Sequence, residues 1–200
     1  MRSRLGFVIA SLIAVQLVAA AIAWLTLPPL AQKTAAPAPI GGAFELTDQD
    51  GRRVTEKDLV GKPIVIFFGF TYCPDICPST LLELSNWLKA LDTDADKLNV
   101  VFISVDSERD TPEQLKLYLS SFDPHIRGFT GNEEQIKKVT EVYRVYYKRI
   151  AQADGGYTYD HSAMIYLMDK VGRYVGVITY QEPAATAVAK LRDLIVGRRS

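Results

Sequence analysis

The chain has two cysteines, and both lie in one short segment, Cys73-Pro74-Asp75-Ile76-Cys77-Pro78. A thiolate is both a nucleophile and a soft metal ligand, so a close pair suits either disulfide exchange or metal binding. Each cysteine precedes a proline, which disfavours helical geometry at both, and the segment reads as a strained turn. Pro78 fits the first helical position, which makes Cys77 the expected N-cap. Partial positive charge at that end favours the thiolate. Dithiol-exchange motifs usually carry two residues between the cysteines. Three stand here, which loosens the ring and opens the bite of the sulfurs for a metal. A structural disulfide and two unrelated buried cysteines are the plain alternatives.

Two thiolates select a soft ion such as Cu(I), and a third donor would fix its geometry. The sequence offers two histidines. His125 follows Asp123-Pro124, a turn after a helix, and reads as a solvated loop residue. His161, in Tyr159-Asp160-His161-Ser162, stands just before an apolar strand. In a thioredoxin-like architecture that loop faces the cysteine turn, and redox members hold a cis proline there. No proline occurs between residues 155 and 168; the histidine takes that place. Asp160 is the expected partner orienting the imidazole from behind, and Asp75 the expected brace of the cysteine turn. Met164 and Met168, four residues apart, read as core. Tyr143, Tyr146, Tyr147, Tyr157 and Tyr159 read as packing and loop cover.

The elements that must position these residues follow from patterning. Residues 44–47 and 53–55 flank Asp50-Gly51, a hairpin signal. Residues 64–68 and 100–105 are continuous apolar runs suited to strands buried on both faces. Between them, Leu81, Leu84, Leu88 and Leu91 recur at helical spacing after Pro78. Thr111-Pro112-Glu113 starts a helix with Leu115, Tyr118, Leu119 and Phe122 inward. Asn132 caps another with Ile136, Val139, Tyr143 and Tyr146 inward. Residues 147–162 read as a polar excursion. Strands at 163–168 and 174–179, joined by a short turn, precede a last helix opened by Pro183 and carrying Val188, Leu191 and Ile195. With the first hairpin and the Asn132 helix set aside, the order is βαβ, then α, then ββα. The expected fold is therefore α/β and thioredoxin-like, with an N-terminal hairpin, an extra helix and a loop insertion.

Basic and acidic residues both number 23, so no basic excess points to nucleic acid. The balance hides an asymmetry, because residues 5–32 carry no charge and Arg2 and Arg4 stand just before them. Residues 5–27 would span about 34 Å as a helix, enough for a hydrocarbon core of about 30 Å. The flanking arginines would keep the N-terminus cytoplasmic. A cleaved signal peptide also fits, through Ala19-Ala20-Ala21 or Ala21-Ile22-Ala23. The length of the apolar run favours one uncleaved transmembrane helix, residues 1–27. Either reading exports the domain to an oxidising compartment, and a bacterial inner membrane fits better than a mitochondrial one. Residues 28–42, with four prolines and several alanines, read as a linker. Residues 43–200 form the expected domain.

Taken in order, Phe68-Gly69-Phe70-Thr71-Tyr72-Cys73-Pro74-Asp75-Ile76-Cys77-Pro78 resembles the copper-site segment of the Sco/SenC family. So do residues 102–106, Arg109-Asp110-Thr111-Pro112, and Asp160-His161-Ser162 leading into residues 166–169. The resemblance covers roughly residues 40–196. It implies a membrane-tethered, thioredoxin-like copper protein, its domain in the periplasm, that helps assemble the dinuclear copper centre of cytochrome c oxidase. Cys73, Cys77 and His161 then inherit the role of copper ligands, and the cysteine pair that of a redox disulfide. The implied partners are the oxidase's copper-site subunit and an upstream copper donor or thiol reductant. Many members carry an acidic residue where this chain has Ser79-Thr80. A thiol–disulfide reductase that keeps the oxidase cysteines reduced is the alternative function. A peroxidase is weaker, since spacing alone assigns no activating arginine.

Overall fold

A computed structural model describes residues 13–19, 22, 24, 39–153 and 155–198. The chain divides into two compact units, Met1–Ala38 and Pro39–Ser200. In the first, residues 13–19 are helical and exposed. Among the described residues no helix is long and apolar enough to cross a membrane. Of the expected span at 5–27 only residues 13–19, 22 and 24 are described, and most of the expected linker lies outside the described residues.

The second unit is a mixed α/β fold. Its strands are β1 (Glu45–Asp48), β2 (Arg53–Thr55), β3 (Ile64–Gly69), β4 (Asn99–Ser104), β5 (Ile126–Thr130), β6 (Tyr147–Ala151), β7 (Tyr157–His161), β8 (Ile165–Met168) and β9 (Tyr174–Ile178). Its α-helices are α1 (Ile76–Leu91), α2 (Pro112–Leu119), α3 (Glu133–Tyr143) and α4 (Ala184–Ile195). One sheet runs β2-β1-β5-β4-β3-β8-β9, and β6 pairs with β7 alone. At its centre β3 is parallel to β4, Ile64 opposite Asn99 through Gly69 opposite Ser104, and antiparallel to β8. Every residue of β3 is buried, as its unbroken apolar run requires. The β3–α1–β4 unit followed by the antiparallel pair β8–β9 and α4 is the arrangement expected of the core.

The helices start where the chemistry of their caps predicts. Thr111 accepts a hydrogen bond from the Gln114 amide at 3.2 Å, with Pro112 in the first turn. Asn132 and Gln135 form a reciprocal capping box, each side chain accepting from the other's amide at 2.9 Å. The Asn132 helix stops at Arg144 in the left-handed region, so Tyr146 falls beyond it and is exposed rather than inward.

Two elements were not expected. β5 carries Arg127 and Gly128 in its middle and shows no apolar run, yet it closes the sheet between β4 and β1. Gly128 is required there: a Cβ would sit 2.7 Å from Leu119 Cδ1 of α2. The polar excursion at 147–162 is a β-hairpin, with Tyr147 opposite His161 and Ala151 opposite Tyr157. Met168 is in the core, whereas Met164 precedes β8 and is partly exposed, against the expectation that both are core.

Candidate metal centre

The site forms where β3 ends and α1 begins. After Gly69 the chain turns, with the Cys73 amide donating to the Phe70 carbonyl at 3.2 Å. The helix then starts at Ile76, with Asp75 as N-cap. Cys77 is therefore the second helical residue and not the cap that the prolines implied. The reason is that a proline in the first turn removes an N–H that has no intrahelical partner anyway. The Cys73-Pro74 step alone takes up the turn. The Asp75 carboxylate makes no cap bond and accepts instead from Ser79 Oγ at 3.3 Å.

The two thiols are free, Cys73 partly exposed and Cys77 fully buried. Gly69 makes room for the second: a Cβ on it would lie 2.6 Å from Cys77 Sγ and 2.8 Å from Phe102 Cε2. Their acidities diverge, opposite to the expectation for Cys77. A hydrogen bond from Cys77 to its sulfur, with others from the Cys77 and Asp75 amides, brings the Cys73 thiol down to about 4. Burial pushes Cys77 up from its ordinary value. Cys73 is thus the thiolate, and the Cys77 amide lies 3.4 Å from its sulfur.

His161 ends β7, its ring 5.7 Å edge-on from Phe70 and 6.4 Å from Phe67. Its Nδ1 faces the Ser162 carbonyl at 3.0 Å, so in the neutral imidazole the proton sits there. That leaves the Nε2 lone pair directed at Cys77 Sγ, 3.4 Å away. Cys73 Sγ, Cys77 Sγ and a ring nitrogen of His161 all lie within 4.8 Å of one another. Asp160 does not orient the imidazole as expected. Its carboxylate accepts from the Tyr146 hydroxyl at 3.4 Å, and the backbone of Ser162 does the orienting. His125 sits elsewhere, bonded to Asp123 at 2.6 Å and Asp96 at 3.0 Å.

The residues that hold the site together were missed as such. Asp110, buried, accepts from the Thr71 amide at 2.9 Å, Thr71 Oγ1 at 2.6 Å and Ser104 Oγ at 2.5 Å. Asp106 and Arg109 reach Tyr157 on the histidine hairpin. Their one signal in the sequence was membership of the motifs at residues 102–106 and Arg109-Asp110-Thr111-Pro112. As a donor set, two sulfurs and one imidazole nitrogen suit a soft ion in three-coordinate geometry, or leave one tetrahedral position open.

Comparison with known proteins follows this geometry. Residues 32–196 match the family model described as SCO1/SenC. A SCO2-like protein of Rickettsia prowazekii is 46% identical over 138 residues, covering 68% of this chain and 67% of that protein. The mitochondrial SCO1 homolog 1 of Arabidopsis thaliana is 46% identical over 146 residues, covering 71% of this chain and 43% of the relative. The chain thus spans less than half the length of that relative. The structure of Bradyrhizobium japonicum ScoI with copper bound matches with a TM-score of 0.73 and 54% identity, covering 78% of this chain and 99% of that one. The fold, the order of the motifs and the family match agree: this chain belongs to the SCO1/SenC family.

Proposed function

We propose that the chain is a copper metallochaperone. It binds one copper through Cys73, Cys77 and His161 and delivers it to the dinuclear copper site of cytochrome c oxidase. The convergence of the three donor atoms within 4.8 Å carries this reading. It is supported by the copper in the 54% identical relative. Cys73 is already a thiolate and meets the ion first from its partly exposed position. Cys77 gives up its proton as the ion enters, so binding releases a proton. The same exposure lets an incoming thiolate of the acceptor reach the ion and take it by ligand exchange. The apolar segment 5–27 serves as the membrane anchor that keeps the domain in the periplasm of a bacterial inner membrane. Anaerobic Cu(I) titration of the domain should give one tight equivalent per chain. Unchanged affinity in His161→Ala would refute the ligand set.

A second reading is favoured by the raised acidity of Cys73. Its thiolate attacks a partner's disulfide, and one partner thiolate leaves. Cys77, its proton taken by His161 Nε2, then attacks Cys73 Sγ and releases the second partner thiolate. This chain ends as the disulfide, the partner as the dithiol, and two electrons have passed. A dithiol-exchange assay on a peptide carrying two oxidised cysteines tests it; no reduction by the wild-type dithiol refutes it.

A further inference from the structure

The loop between β4 and α2 touches both halves of the site. Asp110 ties it to Thr71, two residues before Cys73. Asp106, fully buried, accepts from the Tyr157 hydroxyl at 2.9 Å and pairs with Arg109 Nε at 2.5 Å. An Arg109 terminal nitrogen donates to the Tyr157 carbonyl at 3.1 Å. The guanidinium carbon lies 3.8 Å from the centre of the Tyr157 ring and 4.6 Å from that of Tyr72, the neighbour of Cys73. On Tyr157 a second guanidinium, Arg149, lies at 3.7 Å, itself paired with Glu108. Arg109 Nη2 is buried and has no hydrogen-bond acceptor among the described residues.

A buried guanidinium hydrogen without an acceptor is costly, and it persists only where the surroundings hold the group in place. Here the ring faces of Tyr72 and Tyr157 supply the attraction. Stacking needs the flat delocalised cation of arginine, which a lysine does not reproduce. The hairpin it grips is otherwise lightly packed. No residue of β6 or β7 is fully buried; Tyr147 and Tyr159 rest partly buried on the core, Tyr159 5.5 Å from Phe70, and Arg149 pairs with Glu108 at the surface. Tyr157 lies four residues before His161 on the same strand.

We infer that Arg109 is a positioning residue for the metal centre: by stacking between Tyr72 and Tyr157 it clamps the histidine hairpin to the cysteine turn. The inference rests on the copper-binding reading, and it adds that the contribution of His161 to copper affinity is transmitted through Arg109.

The test is a double-mutant cycle in Cu(I) affinity, read by competition with a chromophoric chelator, together with hydrogen exchange on the metal-free protein. Arg109→Lys should weaken copper binding by about ten- to a hundredfold, as loss of a ligand-orienting partner does. In the His161→Ala background the same change should cost less than about twofold, the limit for groups that act as one. Equal losses in both backgrounds, or no loss in the first, overturn the clamp. In the metal-free protein Arg109→Lys should speed amide exchange at residues 157–161 and leave β3 and α1 unchanged; unchanged exchange at 157–161 overturns it. The exchange arm decides the clamp even if wild-type protein binds no copper, an outcome that defeats the chaperone reading instead. Should Arg109→Lys not fold, Tyr157→Leu keeps the Asp106–Arg109 pair and must give the same pattern, with Tyr157→Phe closer to wild type because it retains the stacking ring.

Discussion

The two halves of the metal centre are built to different standards. The cysteines stand at the junction of β3, whose residues are all buried, with α1, which holds Cys77 and buries Leu81, Leu84, Trp87 and Leu88. The histidine stands on a two-stranded hairpin in which four of the five β6 residues are exposed. Opening a segment costs roughly what its buried contacts are worth, so the hairpin opens at far lower free energy than the sheet. For the carrier proposed above this division would be useful: a fixed dithiol would keep the ion during transit, and the imidazole would be the ligand whose withdrawal costs least when an acceptor arrives.

The sharpest contrast lies between the two sulfurs themselves. Cys77, pushed above its ordinary value by burial, is less than about 1% thiolate at pH 7, whereas Cys73, brought down to about 4, is almost wholly so. Iodoacetamide on the reduced, metal-free domain should modify Cys73 at least about a hundredfold faster than Cys77. The Cys73 rate should stay flat from pH 8 to 6 and fall only as the pH drops through about 4. Mass spectrometry that finds Cys77 labelled first reverses the assignment of the attacking sulfur.

The rigid half breaks by filling its one gap. A methyl at Gly69 meets Cys77 Sγ and Phe102 together, inside a buried strand. Gly69→Ala should cost about 1–3 kcal/mol in a denaturant titration, the usual penalty of overpacking, and weaken copper binding with it. A variant of wild-type stability and affinity contradicts the tight fit. The hairpin half behaves differently. Tyr159→Leu removes the edge contact with Phe70 while keeping an apolar side chain there, and should cost only about 0.5–1.5 kcal/mol. Its amide exchange should rise at 157–161 and not in β3. A uniform rise through the domain tells against separate halves.

How much of this was legible in the sequence follows the same division. Cys73, Cys77 and His161 stood out because the chain has so few residues able to bind a soft ion. The core strands announced themselves as unbroken apolar runs. β5 did not, because Gly128 is there for the side chain of Leu119 and not for the strand. β6 and β7 did not, because no residue of the hairpin is fully buried and its inward side chains are tyrosines and a histidine, which make no apolar run. The start of α1 was misplaced by two residues, since the prolines constrain the turn without saying where the first helical residue falls. Asp110 on Thr71 and Arg109 on Tyr157 join residues 39 and 48 apart in the chain. No local pattern encodes such a pairing.

His125, the histidine outside the site, gives the smallest effect and separates fold from function. Hydrogen bonds to Asp123 and Asp96 raise its pKa above the ordinary value. A raised folded-state value means that the protonated ring stabilises the fold. That stabilisation is complete below the unfolded value of about 6.5 and is lost as the pH climbs through the folded one. The side chain is about a third exposed, at 33%, so solvent screening holds the gain to about 0.5–1 kcal/mol. Chemical denaturation of wild type against His125→Asn should show wild type ahead by that amount at pH 5.5 and the two curves converging by pH 9. Copper affinity should be the same in both proteins across the range, because none of the three converging donors touches Asp96 or Asp123. A copper affinity that follows the charge of His125 would mean that the two histidines are coupled through the sheet, and the sharp line between a rigid and a yielding half would have to be redrawn.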